Sequence, residues 1–358
     1  MSVAAVPGLV FNVPEGATAT EPPEARGLRR DEVRLLVADG CGVSHARFHD
    51  LGRFLRAGDV LVVNTSATLP AALPARRGRA AVTVHFAAEP QAGTWLVELR
   101  AGPRADGPLR DGREGERLDL PDGGVLRLLA PYPDPLADRP RIWRARVSQP
   151  LPTDEFLVAH GAPIAYACVP GSWPISAYQT VFARDPGSAE MPSAGRPFSA
   201  ELVSDLVAAG VLIAPVTLHT GVSSLEPGEG PLPERYAVPE GSAALVNLAR
   251  ARGGRVVAVG TTATRALETV AAPDGTVAAG AGWTDLVLGP DRAARAVDGV
   301  ISGWHEPGAS HLLLLEAVAG SDVVRRAYAE AVRERYLWHE FGDSALLLRD
   351  GSCGEFGA

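Results

Sequence analysis

In this 358-residue chain the side chains best placed to do chemistry are polar residues that directly follow short apolar runs. An apolar run buried as a strand is rigid, so the residue after it is presented at a fixed point of a crevice. Three runs end this way. Val211 to Leu218 is followed by His219-Thr220-Gly221, and Gly299 to Ile301 leads to Gly303-Trp304-His305-Glu306-Pro307. The run ending at Val259 passes into Gly260-Thr261-Thr262 and then Arg265. Histidine is the usual proton carrier near neutral pH, so His219 and His305 are candidate general acid–base groups. Each is also readable as a cap on its turn. The Gly260 turn offers N–H groups and hydroxyls at the start of a helix, a cradle for a carboxylate or phosphate. An ordinary threonine N-cap would have the same sequence. Asp285 in Gly282-Trp283-Thr284-Asp285 and Asp343 in Phe341-Gly342-Asp343 are acids in turns, where Asp also serves simply to form the turn. His45 and His49 fall in a hairpin and are expected to be solvated.

Several chemistries are excluded. All 34 basic residues are arginine, which removes a Schiff-base or P-loop lysine. No strand is followed by G-x-G-x-x-G, which disfavours a dinucleotide site, and no G-x-S-x-G nucleophile elbow is present. Cys41, Cys168 and Cys353 are far apart, so neither a zinc site nor a disulfide framework is expected, no metal is expected, and a reducing cytosol fits. No arginine precedes Arg26, so the basic region of a signal peptide is missing. The most apolar stretch, Leu206 to Leu218, is interrupted by Pro215 and shorter than the roughly 18 residues of a membrane span. A soluble, cytoplasmic protein is expected. The net charge of −8 argues against a nucleic-acid partner unless arginines gather locally. Arg76, Arg77 and Arg79 with Arg104, Arg110 and Arg113 form such a stripe, or equally a solvated loop.

The elements that must position these residues fall into two textures. Residues 1–25 carry prolines and no periodicity, as an extended arm or frayed lead-in would. Arg34 to Phe48 reads as a hairpin, and Val60 to Asn64 as a buried strand. Between about 70 and 150, Val82, Val84 and Phe86, then Trp95, Val97 and Leu99, then Trp143, Ala145 and Val147 recur with period two. Gly/Pro-rich turns join these runs, which predicts a small antiparallel β module over 70–150. Beyond residue 195 helices and strands alternate. Ser199 caps a helix from Ala200 to Ala209 that Gly210 ends, and Val211 to Leu218 is a strand. A helix over Glu240 to Arg252 precedes the strand Arg255 to Val259, and the Gly260 turn enters a helix through Glu268. Ser321 caps a last helix with Val324, Tyr328, Ala331 and Tyr336 toward the core. The expected organisation is an α/β main domain (1–69 and 151–358) carrying the β module.

Several blocks together resemble the S-adenosylmethionine:tRNA ribosyltransferase-isomerase family of queuosine biosynthesis. They are Tyr178-Gln179-Thr180-Val181-Phe182-Ala183, Pro192-Ser193-Ala194-Gly195, Val216-Thr217-Leu218-His219 and Val256 to Glu268. Gly282-Trp283-Thr284-Asp285, Asp298-Gly299 through His305 and Pro307, and Phe341-Gly342-Asp343 follow in the family's order, from about residue 28 to 348. The resemblance implies a barrel-like α/β main domain with an inserted antiparallel β-barrel. It also implies S-adenosylmethionine as co-substrate and ribosyl donor, and tRNA as partner. An aminomethyl group on a deazaguanine base of the tRNA attacks the ribose C1′, adenine and methionine leave, and the sugar becomes an epoxycyclopentanediol. The sulfonium acidifies the adjacent C5′ proton, so one positioned base can start the rearrangement. On this resemblance the proton transfers fall to His219 and His305. Gly260, Thr261, Thr262 and Arg265 hold a carboxylate or phosphate, and Glu234, Asp285 and Asp343 contact ribose, adenine or sulfonium.

The chain also departs from the family pattern. P-T-A-G-L-H-F reads Pro192-Ser193-Ala194-Gly195-Arg196-Pro197-Phe198, without the histidine, and N-[DN]-T-R-V reads Asn64-Thr65-Ser66-Ala67-Thr68, without the arginine. V-G-A-G-T-F becomes Thr220-Gly221-Val222-Ser223-Ser224-Leu225, and H-S-E keeps only its Glu, in Leu232-Pro233-Glu234. In N-F-H-L-P-[KE]-S-T, Gly303 and Gly308 replace the Asn and the Lys/Glu, and F-F-S-Y-G-D reads Trp338-His339-Glu340-Phe341-Gly342-Asp343. Such losses at a reacting centre have large effects on rate. Either the site is rebuilt, with Arg196 or His339 as candidates, or the acceptor differs. A paralogous enzyme using S-adenosylmethionine on a small molecule or another nucleoside, and a non-catalytic binding protein, are the alternatives.

Overall fold

Continuous and alternating apolar runs sort into two sheets in the computed structural model, which describes residues 9–165, 168–223 and 231–349. The chain begins with the hairpin β1 (Arg34–Ala38) and β2 (Val43–Arg47), then adds β3 (Val60–Asn64) and the short β4 (Ser66–Thr68). It then leaves for a closed antiparallel barrel: β5 (Ala72–Arg77), β6 (Ala80–Gln91), β7 (Thr94–Ala101), β8 (Arg117–Asp119), β9 (Val125–Tyr132) and β10 (Ile142–Ser148). Helix α1 (Thr153–His160) seals the barrel core with Phe156 and Leu157, and β11 (Asp185–Ser188) pairs with β4. The second half supplies α2 (Ala200–Ala208), β12 (Leu212–Leu218), β13 (Glu234–Val238), α3 (Glu240–Ala251), β14 (Val256–Val259) and α4 (Gly260–Thr269). It closes with β15 (Gly280–Thr284), β16 (Gly299–Gly303), α5 (Ser310–Ala319), α6 (Ser321–Arg333) and β17 (Ser344–Leu348).

The main sheet has nine strands in the order β15-β13-β12-β3-β14-β16-β17-β1-β2, with β12, β3, β14 and β16 mutually parallel. The fold is α/β, an antiparallel barrel inserted into an α/β main domain. The main sheet ends at edge strands β15 and β2, so it stays open, whereas the insert closes. Period two assigns its residues to two cores. Val60, Val62, Val256, Ala258 and Val300 pack under α3 to α6, while Leu61, Val63, Val257, Val259 and Ile301 face α2 and the turn Phe48–Phe54. Burial on both faces explains the unbroken apolar run of β3, each such side chain contributing about 1.5–3 kcal/mol. The Ser199 hydroxyl accepts from the Leu202 N–H at 3.1 Å, the expected N-cap of α2.

Several expectations are corrected. The described part of the N-terminal arm is docked: Ala17 and Ala19 are buried, and the segment exchanges backbone hydrogen bonds with Trp338. Phe11 stacks on Trp338, covering an aromatic cluster that would otherwise face water. Helix α5 was not anticipated, because Leu312, Leu313, Leu314 and Leu315 are all buried and give no amphipathic stripe. Helix α6 starts after Gly320 (φ +90°) and has no side-chain cap from Ser321. Cys41 is disulfide-bonded, against the expectation of unpaired cysteines, its partner lying outside the described residues. Ser224, Leu225 and Cys353 also lie outside them.

The barrel alternation has a second buried side. His85 and Glu98, cross-strand neighbours, are each 1% exposed. Glu98 accepts from Arg141 at 3.1 Å and Arg100 at 3.2 Å, with the His85 ring 3.6 Å away. The loop after β7 closes over this cluster, Arg100 donating to the Ala105 carbonyl at 2.8 Å. A buried charge requires such partners. Burial holds the His85 imidazole below its ordinary pKa.

Candidate active site

The carboxyl ends of the parallel strands β12, β3, β14 and β16 form the crevice where ligands bind in open α/β sheets. Asn64, at the end of β3, ties its centre together. Its amide donates to the Leu218 carbonyl (2.8 Å) and the Thr262 hydroxyl (3.2 Å), and its oxygen accepts from the Leu218 N–H (3.0 Å) and the Ser66 N–H (3.1 Å). Strand ends β3 and β12 are thereby fixed to the first turn of α4. Gly260 makes this join possible. Its φ of +91° lets the helix start directly after β14, and a Cβ there would lie 3.2 Å from the Ala194 Cβ. Neither threonine caps the helix; Val259 is the N-cap residue and Thr261 and Thr262 lie within α4.

His219 is held on both nitrogens. Arg235 on the neighbouring strand donates to Nε2 at 3.0 Å, so Nδ1 carries the proton and donates to the Ser66 hydroxyl at 2.8 Å. Ser66 in turn reaches the Ser188 hydroxyl at 2.6 Å, which accepts the Thr220 N–H at 3.0 Å. Burial, then the Arg235 charge, lowers the His219 pKa to about 4, so the ring is neutral. A Cβ on Gly187 would lie 2.3 Å from His219 Nδ1, so only glycine admits the ring here.

Glu234 and Arg265 form an ion pair beside it. The other Glu234 oxygen accepts the Gly221 N–H at 2.9 Å, which holds the loop after His219. Burial pushes the Glu234 carboxyl up while Arg265 opposes it. Arg265 also donates to the Leu286 carbonyl (3.0 Å) and the Thr284 carbonyl (3.3 Å), so its donors face inward. On the far side His305 Nε2 meets the Ser302 hydroxyl at 2.9 Å, and its ring stacks on His311 with centroids 4.5 Å apart. Burial and His311 keep His305 well below its ordinary pKa, and burial with Arg265 takes His311 to about 4.

The structure thus gathers His219, Glu234, Gly260, Thr261, Thr262, Arg265 and His305 at one end of the sheet. β3 and β14 stand between the two histidine strands, three interstrand spacings or roughly 14 Å. Asp285 is exposed on the turn after β15. Asp343 is buried, accepts the Arg34 and Leu337 N–H groups at 2.8 Å each, and has its pKa raised by burial. Ser188, Arg235 and His311 carried no signal in the sequence, since their partners are remote along the chain. His45 is exposed, as expected, but bonds Tyr336 and Glu330. Among the described residues no group of three His, Cys, Asp or Glu could hold a metal ion, and no helix is long and apolar enough to cross a membrane.

Neutral histidines, a buried ion pair and a helix N-terminus on a sheet that carries an inserted barrel define an α/β enzyme with a polar crevice. A family model described as queuosine biosynthesis protein matches residues 7–347. The S-adenosylmethionine:tRNA ribosyltransferase-isomerase of Moorella thermoacetica is 36% identical, over 94% of this chain and 98% of its own length. That of Symbiobacterium thermophilum is also 36% identical, over 94% and 98%. The crystal structure of S-adenosylmethionine tRNA ribosyltransferase from Thermotoga maritima superposes with a TM-score of 0.52 at 28% identity, covering 94% of this chain and 99% of that one. This chain belongs to the queuosine biosynthesis protein family.

Proposed function

We propose that the protein transfers the ribosyl moiety of S-adenosylmethionine to 7-aminomethyl-7-deazaguanine in tRNA and isomerises it, giving epoxyqueuosine with release of adenine and methionine. The observation that carries this is the gathering of His219, His305 and the α4 N-terminus, all within family blocks, at the carboxyl ends of one parallel sheet. A neutral ring is in the form that accepts a proton, so each histidine enters as a base and can return that proton later as an acid. His219 acts through Nε2 once exposed Arg235 turns away, while Ser66 and Ser188 fix its tautomer. The N–H groups of α4 receive the methionine carboxylate. Glu234 and Arg265 serve as positioning residues, because both are committed to the loop after His219 and to backbone carbonyls. Asp343 is left to its structural amides.

The RNA partner reads onto the barrel. Within the expected stripe, Arg77 is committed to Glu116 and Asp111. Arg127 and Arg146 instead face each other, exposed, across β9 and β10, next to Arg117 of β8, which pairs with Asp119 at 3.3 Å. Like charges placed opposite one another are unfavourable unless something anionic meets them. The reading is tested by incubating the protein with S-adenosylmethionine and tRNA bearing the aminomethyl base, followed by mass spectrometry. Adenine and methionine release with the matching mass gain on the tRNA is expected. Adenine release without tRNA modification, or no release, overturns it.

A further inference from the structure

One aromatic side chain lies bare beside the crevice. Trp283, near the carboxyl end of edge strand β15, is 40% exposed, while every other aromatic side chain among the described residues is buried or half-buried. Strand register places it directly opposite Arg235 of β13, whose carbonyl in turn accepts the His219 N–H at 2.9 Å. Residues opposite one another on neighbouring strands share a face. His219, Arg235 and Trp283 therefore form one row across the ends of β12, β13 and β15, and the 3.0 Å contact of Arg235 with His219 Nε2 lies along it. Glu234 and Thr284, the adjacent pair on β13 and β15, point the other way, to Arg265 and Thr269 of α4. The indole thus faces away from the helix layer. Ala281 precedes it on its own face and Gly282 adjoins it, so that side of its strand puts nothing bulky against the ring.

A lone exposed apolar residue on a protein surface needs no explanation. Two further observations set this one apart. The first is its neighbour: Arg235 is exposed and forms no ion pair among the described residues, its side-chain hydrogen bond going to His219. An unpaired guanidinium beside a bare aromatic face is the combination that holds a nucleotide, the arginine on phosphate and the ring on the base. The second is place. His219 and Trp283 stand two interstrand spacings apart, roughly 10 Å, at the end of the sheet where ligands bind. A base stacked on the indole would therefore lie next to the proposed proton acceptor rather than on a remote surface. The row-mates of the ring are polar, which suits a nucleotide better than the apolar face of a protein partner.

We infer that Trp283 stacks on the acceptor nucleobase while Arg235 takes a phosphate of the same RNA. Arg235 then leaves His219 as the acceptor arrives, so Nε2 is uncapped when it is needed. This rests on the proposed RNA acceptor but not on turnover. The test is fluorescence anisotropy, at several salt concentrations, of two hairpin RNAs binding to the protein. One carries 7-aminomethyl-7-deazaguanine in its single-stranded loop, and the other is abasic at that position. The wild-type protein is expected to prefer the base-bearing hairpin about tenfold or more. Trp283→Leu keeps apolar bulk without a π-face and is expected to lose the preference. Its unchanged binding of the abasic hairpin would show that it is folded, and Trp283→Phe should restore most of the preference. Arg235→Gln should weaken both hairpins alike and reduce the salt slope by about 0.7, the weight of one single-strand phosphate contact. Equal wild-type binding of the two hairpins, binding of neither, a preference that survives Trp283→Leu, or an unchanged salt slope in Arg235→Gln overturns the inference. A wild-type protein that shows the preference yet releases no adenine from S-adenosylmethionine would defeat the proposed reaction and leave the platform standing. Full turnover on tRNA without the hairpin preference would do the reverse.

Discussion

Arg235 holds His219 twice, its carbonyl accepting the His219 N–H at 2.9 Å and its guanidinium capping Nε2 at 3.0 Å. The nitrogen opposite the protonated one is thus reserved and stays unprotonated. His219→Ala and His305→Ala are each expected to lower turnover by roughly 100-fold or more, the usual weight of a positioned acid–base group. Near-UV circular dichroism should remain native. Near-wild-type rates in both variants would remove the proton-transfer assignment.

Gly187→Ala places a methyl group 2.3 Å from His219 Nδ1. The imidazole must move and break its bond to Ser66. We expect about 1–3 kcal/mol of destabilisation and a turnover as low as that of His219→Ala. Urea unfolding together with a single-turnover assay reads both, and unchanged kinetics would show that the ring tolerates displacement.

Glu98→Ala leaves Arg100 and Arg141 buried without their carboxylate. Breaking a buried pair on one side destabilises by roughly 3–5 kcal/mol. The barrel should unfold at lower urea, and a loss under about 1 kcal/mol would mean that the arginines find water.

Stability should depend on pH in two opposed windows. Glu340, raised from 4.5 to about 8, holds a proton in the folded chain that the unfolded chain has released between those values. Stability therefore falls as pH rises through that range, by up to about 1.4 kcal/mol per unit. His219, lowered from 6.5 to about 4, works the other way, and its contribution is lost as pH falls through that interval. Glu340→Gln should flatten the loss above pH 6.5 and, between 4.5 and 6.5 where the two contributions oppose each other, leave the His219 rise uncancelled. An unchanged slope in unfolding free energy between pH 6.5 and 8 would contradict the burial of this carboxyl.

Much of this fold is legible in the sequence, for local reasons. Val60 to Asn64 announces a strand buried on both faces, Ser199 caps its own helix, and Val82, Val84 and Phe86 mark one barrel wall. Helix α5 escaped because a helix buried all round has no polar face to set its period. At the site, His219 and His305 could be found because each ends an apolar run. Ser66 could not be joined to His219 or to Ser188, nor Tyr178 to Phe341, because each of these pairings spans more than a hundred residues of chain. The buried side of the barrel was missed for a related reason: period two tells which residues share a face, not whether a loop later covers it.

Ala189 and Val222 lie in the barrel core, while their neighbours Ser188, Thr220 and Gly221 hold the His219 network and Glu234. The two modules are therefore riveted at the reactive imidazole rather than hinged beside it. A tilt of the barrel under a docked macromolecule would pull first on this rivet, so the load is delivered to the hydrogen bonds that fix the His219 tautomer.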